Sequence, residues 1–297
     1  MSRAVRGRQL QGPQPPGATA EPAQRRVAHV MGMPISLAIR GRHAEGERGA
    51  AAWESALAIL RDADQVFSTY RPDSVISRLG RGELRLTDCP PEVAEVLELG
   101  ERARQESGGA FDIRRPGPDG APVLDPSGVV KGWAVERAAR FLDALPGTDF
   151  CLSAGGDMVC RVKRPEAAPW RIGIEDPRDP GCVLAMAPLR NEAIATSGSA
   201  HRGDHVVDAR TGRSPGRLVS VTVIGPDLVW ADIDATAAFA LDTAALRWLE
   251  GRTGRRGLVV SSSGATELFG VQPSRPRDES GGPVRSQAAA GQAADFA

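Results

Sequence analysis

Two oxygens sit four residues apart in the segment ADIDAT: the carboxyl of Asp232 and the hydroxyl of Thr236. The stretch they open is apolar and rich in Ala, a pattern that predicts a helix. Residues i and i+4 share a helix face, so the two oxygens point the same way. Paired hard oxygens suit a hard cation such as Mg²⁺, which takes oxygen ligands and leaves positions for substrate phosphates. Many ordinary helices carry the same pair, so it decides nothing by itself. Asp234 lies between the two, and helical geometry turns it off their face.

Three further segments hold residues suited to chemistry. In LDPSGVVKGWAV, at 124–135, Asp125 and Ser127 precede a predicted helix whose first turn contains Gly128 and Lys131. A helix start offers free N–H groups and partial positive charge to a phosphate, and Lys131 adds a full charge. Ordinary capping by Asp125 or Ser127, with Lys131 solvated, explains the same residues. In SAGGD, at 153–157, consecutive glycines between strand-like runs mark either a tight turn or a loop passing close to a ligand. In FSTYRPDSVISR, at 67–78, the only tyrosine of the chain, Tyr70, stands among polar residues. Its ring can stack on a flat heterocycle or pack against a neighbouring helix. Neither a G-x-G-x-x-G fingerprint nor a Walker A motif occurs.

The elements that must position these residues follow from periodicity. Ile35, Leu37 and Ile39 alternate as in a half-buried strand, and Trp53, Leu57, Leu60 and Phe67 recur at helical spacing within about 44–67. Asp73 is a candidate cap for a short helix through Leu79. A second clear helix is expected from Pro91, after the candidate cap Asp88, to Gly108 and Gly109. A third starts near Gly128, with Trp133, Phe141 and Leu145 on one side. Strands are expected near 149–153, 158–162, 170–174, 183–189, 193–196, 205–208 and 218–224, then helices over about 230–250 and a hairpin over 257–269. Strand runs with helices inserted, and no regular βα alternation, indicate an α+β fold.

The bulk composition narrows the function. The 297 residues suffice for a large core. Lys plus Arg equal Asp plus Glu at 37 each, so no basic surplus advertises a nucleic-acid partner or an anionic membrane. The four cysteines, Cys89, Cys151, Cys160 and Cys182, form no C-x-x-C pair and read as reduced, mostly buried thiols. No window reaches the roughly 18 apolar residues of a membrane span. The N-terminal residues show neither an apolar signal core nor a lipidation cysteine, so a cytoplasmic location is the expectation. Residues 1–25 and 272–297 read as disordered tails around one folded unit at 26–271.

The motifs VMGMPISLAI, FSTYRPDSVISRL, GGAFD, LDPSGVVKGWAV, SAGGD, ATSGSAHRG, HVVDARTG and VTVIGPDLVWADIDATA occur in this order. In that order they resemble the ApbE-type FAD:protein FMN transferases over about 28–270. The resemblance implies an α+β, T-fold-like architecture with mixed, largely antiparallel sheets and packed helices. It implies a transferase that splits FAD at its pyrophosphate, attaches FMN to a Thr or Ser hydroxyl of an acceptor protein and releases AMP, with Mg²⁺ required. Carried over by motif, Met31, Tyr70, Ala110, Phe111, Asp112, Asp125, Lys131 and Val207 fall on positions that contact FAD. Gly128, through its carbonyl, and Asp232 and Thr236 fall on the metal ligands. His205 opens HVVDARTG and matches the family histidine before its Asp-Pro-x-Thr-Gly turn. A histidine titrating near neutral pH can accept a hydroxyl proton, which makes His205 the candidate general base; bracing the turn is its other reading.

Ala235 precedes the final Thr where Asp, Ala or Ser is frequent, so the resemblance assures no third metal-side carboxylate. The chain departs from the family elsewhere. Ile113 follows FD where proline is usual, the insert before LDPSG is short, and Ala209 replaces the proline of the DPRTG turn and leaves it less rigid. The run SGAT at 263–266 is similar to the core modified in acceptors of this family. Those usually carry Asp three residues before that Ser or Thr, where this chain has Val260, and the run reads as a β-turn. Two other functions are compatible with the same residues: a Mg²⁺-dependent FAD pyrophosphatase and a flavin-binding protein without turnover.

Overall fold

The computed structural model describes residues 21–117, 122–179, 181–199 and 206–270. Strand β1 (Gln24–Val30) begins inside the segment read as a tail and pairs with β2 (Met33–Gly41). The turn between them is Met31–Gly32, both with positive φ (55° and 69°). Two left-handed residues give the turn whose twist matches that of the flanking strands, and Met31 is one of only two non-glycine residues, with Asp242, held there among the described residues.

These two strands start an eight-stranded sheet. It continues with β5 (Thr148–Ala154), β6 (Asp157–Arg161), β9 (Glu192–Gly198), β10 (Leu218–Gly225), β11 (Arg256–Ser261) and β12 (Thr266–Phe269), in the spatial order β1-β2-β5-β6-β9-β10-β11-β12. Two separate hairpins are formed by β3 (Arg114–Pro116) with β4 (Pro122–Leu124), and by β7 (Trp170–Glu175) with β8 (Val183–Leu189). All strand pairings among the described residues are antiparallel.

Strand alternation divides the interior in two. Ile35, Leu37, Ile39, Leu152 and Val159 face the helices, whereas Cys151, Cys160, Ile194, Leu258 and Val260 face the β7–β8 hairpin with Ile172 and Ile174. The helical layer contains α1 (Glu47–Phe67), α2 (Val75–Gly80), α3 (Pro91–Glu106), α4 (Ser127–Asp143), α5 (Leu228–Leu241) and α6 (Ala245–Glu250). Helix α5 is capped by Asp227, which accepts from the Trp230 N–H at 2.8 Å. It is buried along nearly all its length, as expected of a helix apolar on every side.

The architecture is the expected α+β, and several local expectations change. Ser74, not Asp73, caps α2 by accepting from the Ser77 N–H; Asp73 pairs with Arg71. Asp88 belongs to a short 3-10 turn with Arg85, and α3 starts after Pro90 without a side-chain cap. Trp133 and Leu145 are buried but Phe141 is exposed, because it lies on the outer side of α4. The strand expected at 205–208 is reduced, among its described residues, to an isolated bridge between Asp208 and Arg213. A tight turn shaped by Asp208 took precedence over its apolar alternation.

Candidate active site

Helices α4 and α5 cross at Gly132. A Cβ at this position would lie 2.8 Å from the Leu228 carbonyl oxygen and 3.2 Å from Asp232 Cβ. Glycine therefore sets how closely the two backbones approach. The neighbouring Lys131 projects between two carboxylates: its Nζ lies 3.2 Å from Asp232 Oδ1 and is also paired with Asp157 Oδ2. Asp157 starts β6 at the end of the SAGGD turn, and its other oxygen accepts from the Thr196 N–H at 2.9 Å. One turn along α5, Thr236 Oγ1 lies 2.9 Å from Ser197 Oγ on β9. Two helices and two strands thus bring Lys131, Asp157, Ser197, Asp232 and Thr236 together.

The electrostatics of this cluster are unbalanced. Asp157 and Asp232 are only 2% and 3% exposed, and they share one ammonium. Burial and the charge of Asp157 push the Asp232 carboxyl up to about 7, against the pull of Lys131. Burial works against the Lys131 charge, but the two carboxylates outweigh it and hold its pKa above the ordinary lysine value. The second Asp232 oxygen, Oδ2, is buried and has no hydrogen-bond partner among the described residues. Such an oxygen costs free energy unless it meets a donor or a cation. No group of three or more His, Cys, Asp or Glu side chains suited to a metal occurs among the described residues. The donor set is instead carboxylate plus hydroxyl, which fits Mg²⁺, an ion that keeps several waters and takes one or two carboxylates.

A second wall is built around the start of α4. Phe111 packs on Gly128, where a Cβ would lie 3.0 Å from the ring. Ala110 and Phe111 are buried, and the Phe111 N–H donates to Ser107 Oγ. Asp112 accepts from the Arg114 N–H at 2.8 Å. The Asp125 N–H donates to the Ile113 carbonyl, while its carboxylate accepts from the Ser127 N–H and pairs with Arg115 at 2.5 Å. Asp125 therefore shapes the approach to α4, although Pro126 is the residue at the cap position. Val207 is half-buried in the segment leading into the Asp208 turn. Met31 packs against the helix-side core from the β1–β2 turn, and its neighbour Pro34 accepts from the Gly155 N–H in the SAGGD turn. Tyr70 stands apart: it follows α1 with 96% of its surface exposed, so it is not core filling. His205, the candidate base, lies outside the described residues, as do His201 and Arg202.

Comparison with known proteins identifies the family. The profile of the ApbE family matches residues 31–115 and 118–259. The chain belongs to the ApbE family. It is 26% identical over 260 residues to the FAD:protein FMN transferase of Escherichia coli (strain K12), covering 68% of this chain and 74% of that one. It is 31% identical over 151 residues to the FAD:protein FMN transferase of Salmonella typhimurium, covering 48% and 43%. Its fold is similar to that of the Pseudomonas stutzeri flavinyl transferase ApbE, apo form, with a TM-score of 0.71 at 22% identity over 85% of this chain and 97% of that one. The ApbE protein of Thermotoga maritima gives the same TM-score at 20% identity, over 84% and 97%.

Two departures from the ApbE family pattern have a structural counterpart. The Ala209 N–H donates to the Ala110 carbonyl at 3.1 Å, a bond that proline cannot make. The turn therefore loses ring rigidity but gains a tether to the 110–112 segment. Ile113 is buried against α3, where Gly100 leaves room for it. SAGGD and ATSGSAHRG do not by themselves mark Asp157 or Ser197 as members of this cluster. An acidic residue after a glycine pair was the available signal for Asp157. For Ser197 there was none beyond its place in a motif, because its contact with Thr236 is made across the fold.

Proposed function

We propose that this chain is a Mg²⁺-dependent FAD:protein FMN transferase, which cleaves the FAD pyrophosphate, forms a phosphoester with a Thr or Ser hydroxyl of an acceptor protein and releases AMP. The observation that carries this reading is the convergence of Asp232, Thr236, Asp157 and Lys131, with more negative than positive charge and one unpartnered carboxylate oxygen. Without a cation, burial and Asp157 favour a proton on Asp232; a divalent cation would replace that proton and offset the repulsion between two carboxylates and a pyrophosphate. Asp232, Thr236 and the Gly128 carbonyl are the proposed ligands. Bound there, Mg²⁺ would neutralise charge on pyrophosphate oxygens and on the departing AMP.

The chain's own residues supply the rest. Lys131 remains protonated beside its carboxylates and contributes a fixed positive charge near the start of α4, where helix N–H groups also favour phosphate. Met31, Tyr70, the segment 110–112, Asp125 and Val207 are proposed to hold FAD, with the exposed Tyr70 ring available to stack on a flat heterocycle. His205 is proposed to take the proton of the acceptor hydroxyl as its oxygen attacks the FMN phosphorus and the bond to the bridging oxygen breaks.

The test is to incubate the protein with FAD, Mg²⁺ and a peptide bearing a Thr acceptor motif, and to measure peptide mass and AMP together. FMN-modified peptide with equimolar AMP is expected. AMP without modified peptide identifies a pyrophosphatase, and FAD binding without AMP identifies a flavin-binding protein; either result overturns the proposal. In the same assay His205→Ala is expected to keep FAD affinity and to slow transfer about 10²–10⁴-fold, the usual worth of a general base. Transfer near the unsubstituted rate removes His205 from that role.

A further inference from the structure

Cys151 on β5 and Cys160 on β6 are direct cross-strand partners. Their sulfurs lie 3.5 Å apart, with the Cys160 thiol donating to Cys151, and Cys151 in turn lies 3.8 Å from Met158 Sδ. Both cysteines are unbonded and face the interior beneath the β7–β8 hairpin. Directly opposed residues of antiparallel strands have Cα atoms about 4.5–5.5 Å apart, inside the span of about 4.4–6.8 Å that a disulfide bridges. Closing the bond therefore asks for side-chain rotation and no change of strand register. The other two cysteines offer a contrast: Cys89 follows a 3-10 turn and Cys182 is exposed beside Asp179.

We propose that Cys151 and Cys160 form a reversible oxidation site, which a hydroperoxide converts to a cross-strand disulfide. Cys151, whose sulfur accepts from Cys160, is the first nucleophile. Its thiolate attacks one peroxide oxygen and the O–O bond breaks. The departing oxygen takes up the proton as water or an alcohol, and Cys151 becomes a sulfenic acid. Cys160 then loses its proton and attacks the Cys151 sulfur, the S–O bond breaks and the hydroxide leaves as water. Two thiols are oxidised by two electrons in all, and one peroxide is reduced. The hydrogen bond to Cys151 and burial hold the Cys160 thiol well above its ordinary pKa, and its thiolate is the form that attacks. The closed bond staples the base of the β5–β6 hairpin, whose far end carries Asp157.

The experiment treats the folded full-length protein with hydrogen peroxide, quenches with an alkylating agent and maps tryptic peptides by mass. Peptide 141–161 contains both cysteines. It is expected to lose two hydrogens and resist alkylation, and to recover both thiols after dithiothreitol. Cys160→Ser is expected to stop at a Cys151 sulfenic acid that dimedone traps, and Cys89→Ser/Cys182→Ser is expected to close the bond like the unsubstituted chain. The proposal is overturned if peptide 141–161 keeps two alkylatable thiols while Cys182 oxidises, or if it gains oxygen without losing two hydrogens.

Discussion

Asp232 and Asp234 lie two residues apart on one buried helix, yet their ion-pair surroundings differ. Both oxygens of Asp234 have a guanidinium nitrogen close by, Arg252 at 2.8 Å and Arg255 at 2.9 Å. Burial raises its carboxyl pKa, and the two arginines oppose that rise. Arg252 also pairs with Glu106 and stacks over Trp230 and Trp248, which ties α3, α5 and α6 together. Asp232 instead shares a single ammonium with Asp157, so that pair carries two carboxylates for one cation. A carboxylate surrounded by arginines is finished as a piece of structure. One left short of positive charge has capacity for another ligand.

The comparison makes graded predictions. Asp232→Asn keeps the shape of the side chain and removes its charge. FMN transfer to a Thr peptide should fall roughly 10³-fold, the scale of losing a preorganised electrostatic contact in a reaction centre, and Mg²⁺ should no longer titrate the remaining rate. Retained metal dependence in this variant would move the ion elsewhere. Asp234→Asn should instead lower unfolding stability by about 3 kcal/mol, because it strands partly buried arginines, while transfer per folded molecule stays within a few-fold. A loss of transfer without a loss of stability would erase the distinction between the two aspartates.

The pH dependence has the same sign for both, because burial raises both carboxyls, and substitution isolates the share of Asp232. The folded Asp232 carboxyl is pushed up to about 7 by burial and by Asp157, above its ordinary 3.8. The metal-free native state therefore binds a proton that the unfolded chain has released. The associated stability is fully present below about pH 3.8 and is lost as pH rises through 7. Thermal melts in EDTA should show this decline, and Asp232→Asn should flatten it. A slope unchanged by the substitution would mean that another group carries it. The smallest effect is expected of Ser197→Ala, which removes the hydroxyl partner of Thr236 and should cost about 1 kcal/mol of stability, with a modest increase in the Mg²⁺ concentration needed for transfer.

The same contrast marks what could be read in the sequence. The i,i+4 spacing of Asp232 and Thr236 and the off-face position of Asp234 follow from helix period alone, and α5 has the geometry that the period demands. Ile35, Leu37 and Ile39 alternate as a strand because one face is covered. The partners of each carboxylate were hidden. Lys131 reaches Asp232 because Gly132 lets two helices touch, and Arg252 reaches Asp234 from beyond the end of α5; neither contact leaves a local pattern. Asp157 was visible as part of a glycine turn but not as a neighbour of Lys131. Local capping signals misled where two acceptors competed, as with Asp73 beside Ser74. The pair Cys151 and Cys160 was legible only as two apolar-run thiols, since their opposition depends on the register of β5 against β6.

The most direct test is an anomalous difference map from crystals grown with Mn²⁺ and FAD. A peak is expected bonded to the Asp232 carboxylate and the Thr236 hydroxyl, next to the pyrophosphate and away from Asp234. A well-occupied Mn²⁺ peak touching neither residue, in protein that transfers FMN with Mn²⁺, would contradict that placement.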